Sequence, residues 1–295
     1  MQSNIQAQLL NALDLLLDVV CVVDCDGHFV AVSAACEKVF GYTQEEMIGK
    51  PMIDLVLPAD RERTLVAASG VMAGNPLRNF ENRYVRKDGQ VVDIMWSASW
   101  SEGDQLRLAV ARDITLYKQA SARLRYLAQY DALTGLPNRA LFEDRLQVAL
   151  TRDARNGQHL ALLFIDLDDF KPVNDQFGHA VGDLLLQQVA ARIHGCVRES
   201  DTVSRIGGDE FVVLLDVIHS LQNAEKLAEE ICVAIRAPLV VASHTVQVSA
   251  SIGIALHRQH GTDPVQLMRS ADIAMYAAKH AGGNQCRSAV HESFT

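Results

Sequence analysis

Apolar residues in the first part of the chain fall in short runs broken by acid–glycine pairs. Residues 19–33, VVCVVDCDGHFVAVS, read as two strands joined at Asp26-Gly27, a hairpin signal. A polar-rich helical stretch follows through residues 35–56, and strands return around the Asp88-Gly89 turn. In the second of these, Val92, Ile94, Trp96, Ala98 and Trp100 alternate with Asp93, Ser97 and Ser99, which predicts one buried and one solvated face. Residues 105–115, QLRLAVARDIT, repeat the alternation, and hydrophobicity assigns Leu106, Leu108 and Val110 to the core. Five strands with helices in the middle predict a small antiparallel sheet wrapped over a pocket.

From Thr115 to Gln129 the pattern changes to helix formers without Gly or Pro. Tyr117, Ala120, Leu124 and Leu127 fall three and four apart, which suits either a short coiled-coil seam or a connecting helix packed on its own domain. The second half alternates strands and helices. Residues 159–168, HLALLFIDLD, are a buried strand running into acids, and residues 182–197 space Leu185, Val189, Ile193 and Val197 four apart on an amphipathic helix. Residues 204–215, SRIGGDEFVVLL, are a pair of short strands, residues 224–235 a helix and residues 246–256 another strand. Residues 263–282 are a helix opened by Asp263-Pro264 and closed by glycine. The whole is an α+β chain of two domains, the second with a mostly antiparallel sheet covered by helices.

Composition bounds the function. The 295 residues suffice for two ordinary domains; 49% are hydrophobic and 21% charged, as in a soluble globular protein. A net charge of -9 argues against a broad nucleic-acid surface. The start lacks a signal peptide's basic segment and cleavage site, Asp14 and Asp18 interrupt its apolar run, and no segment reaches membrane-spanning length. The six cysteines are scattered without metal-like spacing and read as free thiols. These features predict a cytoplasmic protein without nucleic-acid partners or membrane insertion.

Candidate chemistry lies in the acids. Asp166, Asp168 and Asp169 end one strand, and Asp209 and Glu210 sit side by side at the tip of a hairpin. If these strands are neighbours, Asp166 and Asp209 come within reach of one another. Adjacent carboxylates repel unless a cation lies between them, and this all-oxygen set suits Mg2+ or Mn2+. Lys171, at the start of a helix, offers a point charge to a phosphate, and Gly207 and Gly208 leave room for a bulky ligand. The residues alone suggest metal-assisted phosphoryl or nucleotidyl transfer, against the plainer alternative of a solvated acidic turn.

Several motifs in the expected order carry a family resemblance. Gly207 to Phe211, GGDEF, resembles the signature of the GGDEF family of diguanylate cyclases. Asp131 to Arg139 (DALTGLPNR), Phe164 to Asp183, Ser251 to Ala255 and Ala271 to Lys279 are similar to the family's other motifs, covering about residues 129–290. The resemblance implies Mg2+ held by Asp166, the Leu167 carbonyl and Asp209, with Glu210 tied to metal and catalysis. It implies Lys171 and Lys279 as phosphate-binding lysines, Asn174 and Asp183 as readers of the guanine edge, and His179 in the same substrate-contacting segment. The implied reaction joins two GTP molecules into cyclic di-GMP with loss of two pyrophosphates, across a homodimer in which each domain holds one GTP. Arg198 and Asp201, in RESD, resemble the family's product-binding inhibitory pair. One position departs: Gly283 stands where the family usually has a phosphate-contacting arginine.

Residues of about 10 to 115 resemble a PAS domain, through the Asp-Gly hairpin, Gly41-Tyr42, Glu46 and Gly49, Pro58 before Asp60, and the exit motif Asp113-Ile114-Thr115. The expected division is a PAS sensor with an N-terminal helix over 1–115, a signalling helix over 116–130 and a GGDEF domain over 131–295. The ligand of the PAS pocket is unknown from sequence. His28 reads as a solvated turn residue rather than a haem ligand, and Trp96 and Trp100 as core aromatics. Two alternatives to a cyclase stay open: a catalytically silent GGDEF module that binds GTP or cyclic di-GMP, and a fragment of a protein whose further domain hydrolyses cyclic di-GMP.

Overall fold

The structure is a computed structural model that describes residues 15–156, 159–218, 220–241 and 244–290. The expected N-terminal helix falls in residues 1–14, outside the described residues. The chain divides into two compact units, Met1–Arg123 and Leu124–Thr295.

The first unit is a five-stranded antiparallel sheet in the order β2-β1-β5-β4-β3, from β1 (Val19–Val23), β2 (Phe29–Val32), β3 (Leu77–Val85), β4 (Val91–Ser101) and β5 (Leu106–Asp113). The helical stretch between β2 and β3 breaks into short α1 (Ala35–Phe40), α2 (Gln44–Met47) and α3 (Met52–Leu55), a 3-10 turn, and α4 (Arg61–Met72). Gly41, at φ 78, ends α1, and a Thr43–Glu46 capping box starts α2. Phe29, Phe40, Met47, Tyr84 and Ile94 are fully buried between sheet and helices, with the Phe40 and Tyr84 rings 5.3 Å apart. Asp60, 4% exposed, fixes α4 to β3 by accepting from the Arg83 backbone and guanidinium at 2.9–3.0 Å, with Arg63 at 3.2 Å.

Strand β4 buries the face its alternation predicts, but β5 buries the opposite one. Arg107, Ala109 and Ala111 point into the core, whereas Leu108 is 50% exposed and Leu106 and Val110 are half-buried. The expectation of a Leu106, Leu108 and Val110 core face is therefore corrected. A period-two pattern does not say which face is inward, and here pairing with β1 and β4 put the two alanines and an arginine over the core.

Helix α5 (Thr115–Gln129) follows β5 directly. Asp113 accepts from the Thr115 N–H at 2.8 Å, Thr115 accepts from the Asp93 N–H at 2.9 Å, and Lys118 pairs with Asp93 and Glu81. None of its residues is buried, and Leu116, Tyr117 and Leu124 are 81%, 74% and 67% exposed. Of the two sequence readings, a helix packed along its own domain is not observed.

The second unit has a five-stranded sheet in the order β12-β11-β6-β8-β7, built from β6 (His159–Asp168), β7 (Thr202–Gly207), β8 (Glu210–Ile218), β11 (Ser249–Leu256) and β12 (Gln285–Ser288). Only the β11–β12 pair is parallel. A small hairpin of β9 (Leu239–Val241) and β10 (His244–Val246) precedes β11, so the strand read over residues 246–256 is two segments. Helices α7 (Phe170–Phe177) and α8 (His179–Cys196) follow β6, α6 (Arg139–Asn156) precedes it, α9 (Leu221–Arg236) follows β8, and α10 (Pro264–His280) follows β11. β6 is buried on both faces. Ala161, Leu163, Ile165 and Leu167 pack with α8 and α9, and Leu160, Leu162 and Phe164 with α6 and α10. The next residue on the α10 face is Asp166, where the apolar series gives way to acid.

Candidate active site

The alternation of β6 and the β6–β8 register bring the acids together. Asp166 pairs with Glu210 across the strands, and the Leu167 N–H donates to the Asp209 carbonyl at 3.3 Å. Asp166 is buried, and its carboxylate accepts from Lys279 of α10 at 2.5 Å. Burial and the neighbouring Asp209 and Asp168 push the Asp166 carboxyl up, a rise that Lys279 only partly offsets. Burial, then repulsion from Asp166, Asp209 and Asp272, pushes Glu210 up as well. Asp166, Glu210, Asp272, Tyr276 and Lys279 line an open cleft of about 440 Å3.

The hairpin tip is held from below by residues that the sequence reading did not single out. Arg205 donates to the Gly208 carbonyl at 2.7 and 3.0 Å and to both oxygens of Asp131 at 3.0 and 3.2 Å. Asp131 also accepts from the Thr134 N–H and hydroxyl, at 2.8 and 2.7 Å. Burial raises the Asp131 carboxyl, and these bonds outweigh it, leaving the group below its ordinary value. The available signal was an arginine three residues before a positive-φ glycine, Gly208, whose carbonyl it reaches.

Asp168 is also buried but faces inward. It accepts from the Ser249 and Ser251 hydroxyls at 2.7 Å and from the Asn284 N–H at 2.8 Å. Gly283, at φ 67, passes so close that a Cβ there would lie 2.9 Å from an Asp168 oxygen. Asn174 of α7 sits on Gly182 of α8, where a Cβ would collide with its side-chain amide, so the two helices approach closely at that point. Lys171 lies in the first turn of α7 and His179 opens α8, both exposed, as is Asp183. Gly207 and Gly208 border open space.

The GGDEF family model, described as diguanylate cyclase, GGDEF domain, matches residues 128–285, more than half of the chain. The chain belongs to the GGDEF family. A PAS-fold model matches residues 29–108, so the first unit is a PAS domain. Among curated relatives, diguanylate cyclase TpbB of Pseudomonas aeruginosa is 48% identical over 54% of this chain and 37% of its own length. Cyclic di-GMP phosphodiesterase PdeR of Escherichia coli is 32% identical over 90% of this chain and 40% of its own length. The chain thus spans well under half of these relatives. The solved GGDEF domain of TpbB covers 55% of this chain and 94% of that structure, with a TM-score of 0.54 at 46% identity. The coiled coil and GGDEF domain of DgcB from Caulobacter crescentus, solved with c-di-GMP, covers 60% of this chain and 93% of that structure, with a TM-score of 0.55 at 28% identity.

Within the GGDEF domain the donor chemistry fits a hard divalent cation: Asp166, Asp209 and Glu210 are oxygen donors, and burial first, then repulsion among them, raises Asp166 and Glu210. Among the described residues no group of three acidic, His or Cys side chains is already gathered as a ligand set, and Lys279 holds Asp166 instead. Arg198 and Asp201 form the turn between α8 and β7, with Arg198 N–H to the Asp201 carboxylate at 3.1 Å and Asp201 N–H to the Arg198 carbonyl at 3.0 Å. They line a separate cleft of about 270 Å3 with Lys226 and Glu230 of α9. Lys226 is a further cation there that no motif in the chain marks. Among the described residues no helix is long and apolar enough to cross a membrane.

Proposed function

We propose that this protein is a diguanylate cyclase that condenses two GTP into cyclic di-GMP and releases two pyrophosphates. The observation that carries the reading is the acid cluster across β6 and β8, Asp166 against Asp209-Glu210, opposed by a single lysine, Lys279, within an intact signature. A divalent cation held by Asp166, the Leu167 carbonyl and Asp209 would neutralise charge on the transferring phosphoryl group. Glu210, pushed up by burial and its acidic neighbours, is suited to accept the proton of the attacking 3′-hydroxyl. Lys171 and Lys279 supply point charges to the triphosphate. Asn174 and Asp183 offer an amide and a carboxylate to the guanine edge, whose ring N–H and exocyclic amine are donors.

One domain holds one GTP, so the reaction needs two copies facing each other. The exposed apolar residues of α5, Tyr117 and Leu124 among them, support a homodimer formed along that helix. The PAS domain then regulates by setting how the helices meet, and Arg198 and Asp201, in their own cleft, bind product and inhibit.

The test is incubation of the protein with GTP and Mg2+ and chromatography for cyclic di-GMP. We expect product from the wild type and none from Asp209→Ala. GTP binding without product under every protein concentration would assign the chain to the silent binding modules instead.

A further inference from the structure

The acid cleft has a second nitrogen side chain besides Lys279. On α10 the polar groups that line it are Asp272, Tyr276, Lys279 and His280. They fall three or four residues apart from Tyr276, which puts them along one face of the helix. An acid therefore stands at the N-terminal end of this wall, and two nitrogen groups stand at the C-terminal end. Lys279 is engaged, on the Asp166 carboxylate at 2.5 Å. His280 is not. Its ring leans on the Tyr276 ring, with centroids 4.2 Å apart and planes at 60°. Among the described residues, neither the imidazole nitrogens nor the Tyr276 hydroxyl has a hydrogen-bond partner. Both side chains are exposed, Tyr276 at 61%, so neither ring is placed there to fill the core.

An imidazole keeps at least one N–H donor whether it is neutral or charged, so it can serve an anion in either state. The Asp272 carboxylate repels a polyphosphate from its own end of the wall and favours the end that carries Lys279 and His280. Past His280 the chain runs Ala281-Gly282-Gly283, with no polar side chain to take the same part. Resting on the reading of this cleft as the triphosphate site of a cyclase, we propose that His280 donates a hydrogen bond to the β- or γ-phosphate of bound GTP. Tyr276 is the positioning residue, its ring holding the imidazole over the cleft. In that reading the transferred α-phosphate lies beside the acids of β6 and β8. His280, one position beyond the lysine that reaches those acids, meets the phosphates that leave as pyrophosphate. The contact exists before and during transfer, so it acts on KM and leaves kcat nearly unchanged.

The full chain with Mg2+ is titrated by calorimetry with 3′-deoxy-GTP, which lacks the attacking hydroxyl, and with GMP, which lacks the β- and γ-phosphates. We expect His280→Ala to weaken 3′-deoxy-GTP about fivefold, the worth of one hydrogen bond, and to leave GMP within about twofold. Tyr276→Ala should weaken 3′-deoxy-GTP by a similar factor, whereas Tyr276→Phe, which keeps the ring, should not. The double variant Tyr276→Ala, His280→Ala should lose no more than either single one, because both remove the same contact. With GTP as substrate the loss in His280→Ala should fall on KM, with kcat within about twofold of wild type. Unchanged 3′-deoxy-GTP affinity in His280→Ala, an equal loss of GMP, or additive losses in the double variant overturns the inference. A loss in Tyr276→Phe as large as that in Tyr276→Ala does so too. A wild type that binds 3′-deoxy-GTP but makes no cyclic di-GMP from GTP fails the cyclase reading alone, and the triphosphate-to-monophosphate comparison still decides the role of His280. A wild type that binds no 3′-deoxy-GTP overturns both.

Discussion

Arg205 and Asp131, 74 positions apart in sequence, form an ion pair beside the signature hairpin in which one guanidinium nitrogen, Nη1, donates to both carboxylate oxygens. The same guanidinium holds the Gly208 carbonyl. The opening motif of the GGDEF domain is thereby tied to the turn that carries Asp209 and Glu210. A lysine at this position keeps the charge but offers one nitrogen in place of the three that arginine spreads over the two partners. Arg205→Lys is expected to lower the rate of cyclic di-GMP formation about 10–100-fold, as loss of an orienting contact does. The KM for GTP should change little. Steady-state kinetics checks it, and a loss confined to KM would argue that the turn is positioned some other way.

Asp183 tests base choice. Replacement by serine leaves a hydroxyl where the proposed reading has a carboxylate accept from the guanine donors. The preference for GTP over ATP, measured as the ratio of kcat/KM, is expected to fall by at least about tenfold. The same discrimination in Asp183→Ser would mean that guanine is read at other residues.

Gly283 explains a departure from the family pattern in local terms. Its φ of 67 is in the left-handed region, and a Cβ would press on the Asp168 carboxylate at 2.9 Å. Gly283→Arg, which restores the family's usual residue, is expected to cost about 1–2 kcal/mol in stability from the backbone alone and to give no gain in turnover. Denaturant titration together with an activity assay decides it. Higher activity at unchanged stability would show that the loop rearranges to accept the arginine.

Asp60 sets a pH dependence in the PAS domain. Hydrogen bonds from Arg83 outweigh burial, and with those from Arg63 they hold its carboxyl well below the ordinary 3.8. A depressed carboxyl favours the folded state above its unfolded pKa, and that contribution is lost as pH falls below it. Asp60→Asn is expected to cost about 1.5–3 kcal/mol at pH 7, because Arg83 and Arg63, each about half exposed, lose a charged acceptor. The gap between variant and wild type should shrink as pH falls below about 4. Trp96 and Trp100, the chain's two tryptophans, both lie in this unit, so their fluorescence reports its unfolding directly. A gap that stays constant with pH would remove Asp60 as the cause.

Much of the architecture could be read from residue order. The acid–glycine turns, the alternation of β4, the continuous apolar run of β6 and the Asp263-Pro264 start of α10 each act through neighbours in sequence, and the structure has all of them. The proximity of Asp166 to the signature acids was conditional on β6 and β8 being partners, which the sheet order supplies.

What sequence could not decide depends on contacts between distant segments. Hydrophobicity chose Leu108 for the core because a leucine buries more apolar area than an alanine. The pairing of β5 with β1 and β4 overrode that choice and turned Arg107 inward. Nothing local marks Arg205 as the partner of Asp131, or Lys279 as the cation on Asp166, because each pair meets only after the sheet and helices have assembled. Side-chain periodicity follows from the backbone of one segment and is therefore written in the sequence. The inward face of an edge-to-edge strand, and the partner of a buried charge, are set by the free energy of the whole packed unit, and only the tertiary structure decides them.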